Sequence, residues 1–380
     1  MKKFLFFLSL AAHCLGQPQA LYLSWYSDPT STITIQWHTD LEEESDDIQF
    51  ETSDGEWITL TGTHQRFPNE YLWIHTLHIQ NLDPNTLYHF RIGPDTYAFQ
   101  TAPKTLDKPL RFVIGGDMFI SPLLFEQMSQ VAVKQEPLFA VLGGDLAYAI
   151  RNPFRLRSTS SRRWSSFLSA WSNAMITPDR RLIPMLIVAG NHDVDEDSAD
   201  LFFTLFAFSN RTLYRALDFG SYLTIIFLDT GYLTAIEGPQ TIWLDNTLQK
   251  RSTVPFIFPA YHEGAYPSFY PYQSKTAKKV RENWCPLFDR YSILAAFEHH
   301  SHTFKRTYPL KANQKNPSGT RYFGDGCWGV PARTPNDLWY LEKRASENHL
   351  YLIEITPQNS SIKALNIKGL TFDEIALPSR

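Results

Sequence analysis

Two rhythms divide the chain. From about residue 19 to 102, apolar and polar positions alternate over short stretches: "LYLSWYS", "STITIQWHT", "IQFETS", "WITLTGT", "LWIHTLHI", "LYHFRIG" and "TYAFQTA". These runs are rich in β-branched and aromatic residues, and "DPTS", "SDGE", "LDPNT" and "GPD" punctuate them as turns. Roughly seven short strands in so small a region predict a β-sandwich, with Trp37 placed as a core residue. "TAPKTLDKP" then reads as a linker. From Leu110 the rhythm changes. Apolar runs of four to six residues ("LRFVIGG", "LFAVLGG", "PMLIVAG", "YLTIIFL", "PFIFPAY", "SILAAFE") alternate with stretches that place apolar residues on one helical face ("SPLLFEQMSQVAVKQ", "RRWSSFLSAWSNAM", "GPQTIWLDNTLQKR"). That pattern predicts α/β layering over the rest of the chain.

Composition narrows the picture. With 380 residues and 43% hydrophobic content the chain can build sizeable cores, and its net charge of −4 argues against a general nucleic-acid binder. The opening "MKKFLFFLSLAAHCLGQPQA" has two lysines, a short apolar run and small residues after it. This is the pattern of a secretory signal over residues 1–16, too short to span a membrane, and it implies a secreted, periplasmic or cell-surface protein. Nothing further along is long enough to form a transmembrane segment. Cys285 and Cys327 remain after such processing, and they either pair or stand as separate buried thiols.

Chemistry enters at the ends of the buried runs. "RFVIGGD" ends at Asp117, and "FAVLGGD" at Asp145 with Tyr148 three residues on. "LIVAGNHD" supplies Asn191, His192 and Asp193, "FIFPAYH" supplies His262, and "ILAAFEHHSH" supplies His299, His300 and His302. In layered α/β folds, ligands gather outside the carboxyl ends of the strands. Each ending alone is a common turn or helix cap. Five of them in one domain point to oxygen and nitrogen ligands converging on a metal site. The period-two geometry of an extended strand puts His300 and His302 on one side and His299 on the other. Gly115, Gly116, Gly143, Gly144 and Gly190 leave room for sharp turns and converging ligands.

The ordered set "GGDMF", "GGDLAY", "GNHD", "YHEGAY" and "HSHTFKRT" resembles the calcineurin-like metallophosphoesterases, and within them is most similar to the purple acid phosphatases. "LDPNTLYHFRI", with Tyr88 as corner tyrosine, looks like the fibronectin type III-like sandwich that precedes the catalytic domain in that family. The resemblance implies such a sandwich at 19–102 and an α/β metallophosphoesterase domain at 109–380, with layered sheets flanked by helices. It implies two metal ions, Fe(3+) plus a divalent Zn, Fe or Mn. Asp145 would bridge both ions. Asp117, Tyr148 and His302 would complete one site; Asn191, His262 and His300 would complete the other. Tyr148 carries the purple acid phosphatase character, because the position where other metallophosphoesterases keep a histidine is Phe119. The implied reaction is hydrolysis of phosphate monoesters by a metal-activated hydroxide, with small-molecule phosphate esters as partners. Asn191 and His192 would touch substrate, His192 would serve as the acid, and Asp193 would either orient it or cap a helix.

The sequence departs from the family pattern at three places. His299-His300 stands where the family shows Gly-His, so His299 either contacts substrate or is structural. Met118-Phe119 replaces a glycine-ended motif, and Pro271-Tyr272 replaces a histidine pair that serves as leaving-group acid. Between Arg151 and Arg181, seven arginines form either a basic lid over the site or a solvated face. Trp243 reads as core. A phosphodiesterase or nucleotidase on the same scaffold, and an inactive surface binding protein, are the competing functional readings.

Overall fold

A computed structural model describes residues 17–40, 45–68, 70–150, 157–208 and 210–380. The expected signal over 1–16 lies outside the described residues, as do Arg151 and Arg155. The alternating N-terminal region forms two four-stranded antiparallel sheets. One runs Ala20–Ser24, Ile33–Thr39, Trp73–Ile79, Thr63–Arg66; the other runs Trp57–Thr61, Asp47–Glu51, Leu87–Ile92, Asp95–Gln100. There are eight strands rather than seven because "WITLTGT" divides at Gly62. The chain leaves one sheet there and joins the other, and a Cβ at Gly62 would lie 2.6 Å from the Thr76 carbonyl oxygen. Trp37 is buried at the centre, and the Tyr88 hydroxyl accepts the Asp83 N–H at 2.8 Å, the expected tyrosine corner.

The second region is α/β with two large mixed sheets. In spatial order the first comprises Met185–Ile187, Ala140–Leu142, Leu110–Gly115, His349–Ile355, Asn359–Asn366 and Thr371–Pro378. The second comprises Arg215–Phe219, Leu223–Phe227, Phe256–Glu263, Ala295–His299, Arg321–Gly324, Phe304–Thr307 and Leu341–Ala345. The strands at 110, 140 and 185 run parallel, as do those at 223, 256 and 295, so their carboxyl ends share a rim. Helix Pro122–Val133 starts at Ser121, whose Oγ accepts the Leu124 N–H, with proline at the first turn. Helix Arg157–Ala174 packs against the first strand of the sandwich.

The two regions share one apolar core. Trp25 of the sandwich meets the edges of Phe139 and Phe219, and a continuous buried cluster runs from Leu23 and Trp25 through Phe112 to Phe258. The Tyr22 hydroxyl donates to the Leu205 carbonyl at 2.7 Å. At roughly 25 cal/mol per Å² of apolar surface, separating the halves would expose several aromatic rings worth 1.5–3 kcal/mol each, about the size of a domain's whole stability.

One expectation is corrected here, and two open alternatives are decided. Trp243 is only half buried and packs edge-on against Tyr214, while Leu244 and Leu248 of the same helix carry the core. Cys285 and Cys327 are both buried free thiols in different apolar clusters. Arg163, Arg180 and Arg181 of the 151–181 segment are tied into the body of the protein and form no lid. Arg180 pairs with Asp95, Arg181 donates to the Pro137 carbonyl, and Arg163 donates to the carbonyls of Ala147 and Phe119. Arg163 therefore ties together the loops after two site strands.

Candidate metal centre

Asp117 follows the 110–115 strand and is fully buried. Its Oδ1 accepts the Tyr148 hydroxyl at 3.1 Å and lies 2.9 Å from His302 Nε2; the Tyr148 oxygen is 3.2 Å from that same nitrogen. Asp117 Oδ2 accepts the His300 N–H at 2.9 Å, across 183 residues of chain. A second group lies beside it: donor atoms of Asp145, His262 and His300 fall within 4.8 Å of one another. Asn191 Oδ1 is 3.1 Å from His262 Nε2, and Asp145 Oδ1 accepts the His192 N–H at 2.8 Å. All seven residues expected as ligands are thus brought together, and His300 and His302 face different groups.

The backbone explains how. Asp117, Asp145, Tyr148, His300 and His302 all have positive φ, between 53° and 82°. This left-handed region costs a residue other than glycine of order 1–3 kcal/mol, and such strain concentrates at functional sites. The two histidines therefore do not continue a strand, as period-two reasoning assumed. The strand stops at His299, and a sharp turn aims each ring separately. Gly144, at φ +92°, makes the matching turn before Asp145.

The electrostatics suit cations. Burial opposes charge on Asp145, but His262 and the His192 N–H outweigh it and hold the carboxyl down to about 2. Burial disfavours a charged His262, yet Asp145 pulls its pKa up to about 10. Burial and the neighbouring His262 push His300 down to about 3, the neutral form a metal requires. Burial, Asp117 and Asp145 drive the Tyr148 phenol far above its ordinary value, so a phenolate there needs a positive charge beside it. His262 Nδ1 meets the Gly143 carbonyl at 2.8 Å, which fixes the ring and directs Nε2 at the centre. Buried lone pairs converging from seven side chains fit a pair of metal ions.

Two expected site residues have other jobs. Asp193 is wholly buried, and its two oxygens accept the N–H groups of Leu146 and Gly190 at 2.8 and 2.9 Å. It is a positioning residue that binds two site loops together, not a group facing substrate. His299 is 1% exposed and packs where Cβ atoms on Gly116 and Gly143 would collide with its ring, so it is no substrate contact. His192 is half buried, with its ring 5.1 Å from that of Tyr148.

Sequence reasoning missed three residues around this centre. The Tyr270 ring stacks on His300 at 4.5 Å and 21°. Arg333 donates through Nη1 to the Tyr270 hydroxyl at 2.9 Å and through its backbone N–H to the His302 carbonyl at 2.7 Å. Among the described residues no carboxylate pairs with Arg333. The aromatic run 266–272 hinted at Tyr270, whereas Arg333 lies in irregular chain with no motif around it. Lys305, fully buried, pairs with Glu298 and Asp325 behind the site, and the Asp325 carbonyl accepts the His302 N–H at 2.8 Å. Replacing Lys305 with Met would leave two buried carboxylates uncompensated. The expected loss is about 3–5 kcal/mol in urea unfolding; a loss below about 1 kcal/mol would show that this network does not support the site.

Residues 110–304 match the calcineurin-like phosphoesterase family, and residues 18–105 match the purple acid phosphatase N-terminal domain. The chain belongs to the calcineurin-like phosphoesterase family and is purple acid phosphatase-like within it. Purple acid phosphatase 15 of Arabidopsis thaliana is 26% identical over a 291-residue alignment that covers 67% of this chain and 53% of that protein. The chain therefore spans about half the length of that relative. Purple acid phosphatase 23 of the same plant is 22% identical, covering 83% of this chain and 78% of its own. The structure of purple acid phosphatase PPD1 from yellow lupin (Lupinus luteus) seeds superposes with a TM-score of 0.77 at 16% identity, covering 94% of this chain and 74% of that one. PhoD superposes at 0.66 and 12% identity, covering 95% and 89%. These two likenesses are of fold.

Proposed function

We propose that this chain is an exported dinuclear-metal acid phosphatase that hydrolyses small phosphate monoesters. The observation that carries the reading is Tyr148, a buried phenol within 3.2 Å of both Asp117 and His302. A hard anionic oxygen in that place favours trivalent iron, beside a divalent Zn, Fe or Mn. Asp117, Tyr148 and His302 would hold one ion, Asn191, His262 and His300 the other, with Asp145 between them. Bound there, the two cations would polarise the phosphoryl oxygens and make hydroxide available at moderate pH.

The chain's own groups supply the rest. His192, whose N–H is anchored to Asp145, would contact the phosphoryl group and protonate the leaving alkoxide. Asn191 would orient the substrate beside it. Arg333 offers a guanidinium one ring beyond His300 for a phosphoryl oxygen. Export rests on the N-terminal sequence pattern; among the described residues no helix is long and apolar enough to cross a membrane.

An aryl phosphate monoester and the diester of the same alcohol separate the readings. The monoester is expected to turn over at least about tenfold faster, and Arg333→Ala to raise its KM roughly tenfold with kcat kept, the loss of one charge-assisted hydrogen bond. A diester preferred by the wild-type protein would give the site to a phosphodiesterase, with Arg333 serving the second ester arm.

A further inference from the structure

The sandwich carries a second cluster of metal-ligating side chains, apart from all seven residues above. His64 and His75 stand directly opposite each other on paired antiparallel strands, their rings 5.5 Å apart. Such cross-strand pairs place two side chains on one face at close range. Asp46, just before the strand Asp47–Glu51 of the other sheet, reaches both: Oδ2 lies 2.8 Å from His64 Nδ1 and Oδ1 lies 2.6 Å from His75 Nδ1. The donor atoms of the three residues fall within 4.8 Å of one another.

We propose that Asp46, His64 and His75 form a zinc-class divalent cation site on the N-terminal sandwich, independent of the catalytic centre. The cluster is built as metal sites are built. His75 is completely buried, stacks flat on Trp37 at 4.9 Å and 9°, and has its far nitrogen 2.8 Å from the Thr39 hydroxyl. Its ring is therefore held rigidly, with Nδ1 aimed at the carboxylate, as the outer partner of a ligand histidine does. Trp73 holds His64 edge-on at 5.2 Å, and the Gly62 N–H donates to the Asp46 carbonyl at 2.9 Å. Among the described residues no lysine or arginine competes for Asp46.

Each imidazole–carboxylate contact requires a proton between its two atoms. One divalent ion takes the place of both protons, which move to the far nitrogens of the neutral imidazoles, and satisfies all three side chains at once. Two histidines and one carboxylate are a three-ligand zinc set, with a fourth position left for water. Tetrahedral zinc with bonds of about 2.0–2.1 Å spaces its ligands by roughly 3.3 Å. The present contacts must open by about 0.5–0.7 Å, which the partly exposed side chains of His64 and Asp46 allow. Burial lowers the pKa of His75, which favours the neutral ligand form. The physical consequence is a staple. The strand Thr63–Arg66 is exposed along its whole length at a sheet edge, and the ion would pin it to both sheets.

The test counts metal on the full chain after loading with zinc and removal of excess. Wild type is expected to hold one equivalent more than His64→Ala, whatever the catalytic centre holds, while aryl phosphate turnover stays within about twofold. The same one-equivalent difference is expected between Asp145→Asn and the Asp145→Asn, His64→Ala double variant, which keeps the result separate from the catalytic reading. His64→Gln, which retains a hydrogen-bonding side chain, should lose the equivalent too. Equal zinc content in wild type and His64→Ala would overturn the site and leave a hydrogen-bonded triad.

Discussion

Asp145→Asn is expected to abolish the proposed phosphatase activity and to lower bound metal while the fold persists. The side chain is 1% exposed, meets His262 and the His192 N–H, and is proposed to reach both ions. The amide keeps size and one acceptor oxygen but removes the carboxylate charge that faces His262. Cation stabilisation of a transferring phosphoryl group is worth several kcal/mol, so kcat/KM should fall at least about a thousandfold at 1.36 kcal/mol per decade. Metal analysis should show fewer ions per chain, with circular dichroism unchanged. Wild-type metal stoichiometry and turnover in this variant would rule out the bridging assignment.

Tyr148→Phe separates metal identity from fold. The ring is 3% exposed and packs with Cys327 and Val330, and phenylalanine preserves that packing. It deletes only the oxygen that faces Asp117 and His302, a loss of about 1 kcal/mol in hydrogen bonding. If the phenolate binds trivalent iron, charge transfer from it gives the oxidised wild-type protein a broad visible band and a pink to purple colour. The band should vanish in Tyr148→Phe and iron affinity should fall, because Phe119 nearby is packed against Phe125 and Phe167 and supplies no donor. A colourless wild-type protein holding zinc or manganese without iron would overturn the purple acid phosphatase chemistry. A band that survives the substitution would move the phenolate to another tyrosine; Tyr270, stacked on His300, stands nearest in the described site.

Much of this was legible in one dimension because it depends on local pattern. Alternation predicted the sandwich, and apolar runs capped by Gly-Asp, Asn-His-Asp and His-x-His predicted parallel strands whose ends carry donors. Those signals are written in neighbouring residues, and the resemblance to the purple acid phosphatases selected the seven candidate ligands among them. The last three strands, the helices Lys275–Asn283 and Cys285–Arg290, and the division of a strand at Gly62 carried no comparable signal. Tertiary structure alone decided where each polar group points. Period-two reasoning aimed His300 and His302 along a strand, but the chain turns left-handed at both because Asp117 Oδ2 holds the His300 N–H from 183 residues away. The same long-range pairing turned Asp193 inward to Leu146 and Gly190, buried His299 among glycines, spent Arg163 on two loop carbonyls and brought Arg333 to Tyr270. A sequence states which donors exist and roughly which strand end bears them. Which atom meets which is set by contacts between distant loops, where desolvation makes an unpaired polar group too costly to leave alone.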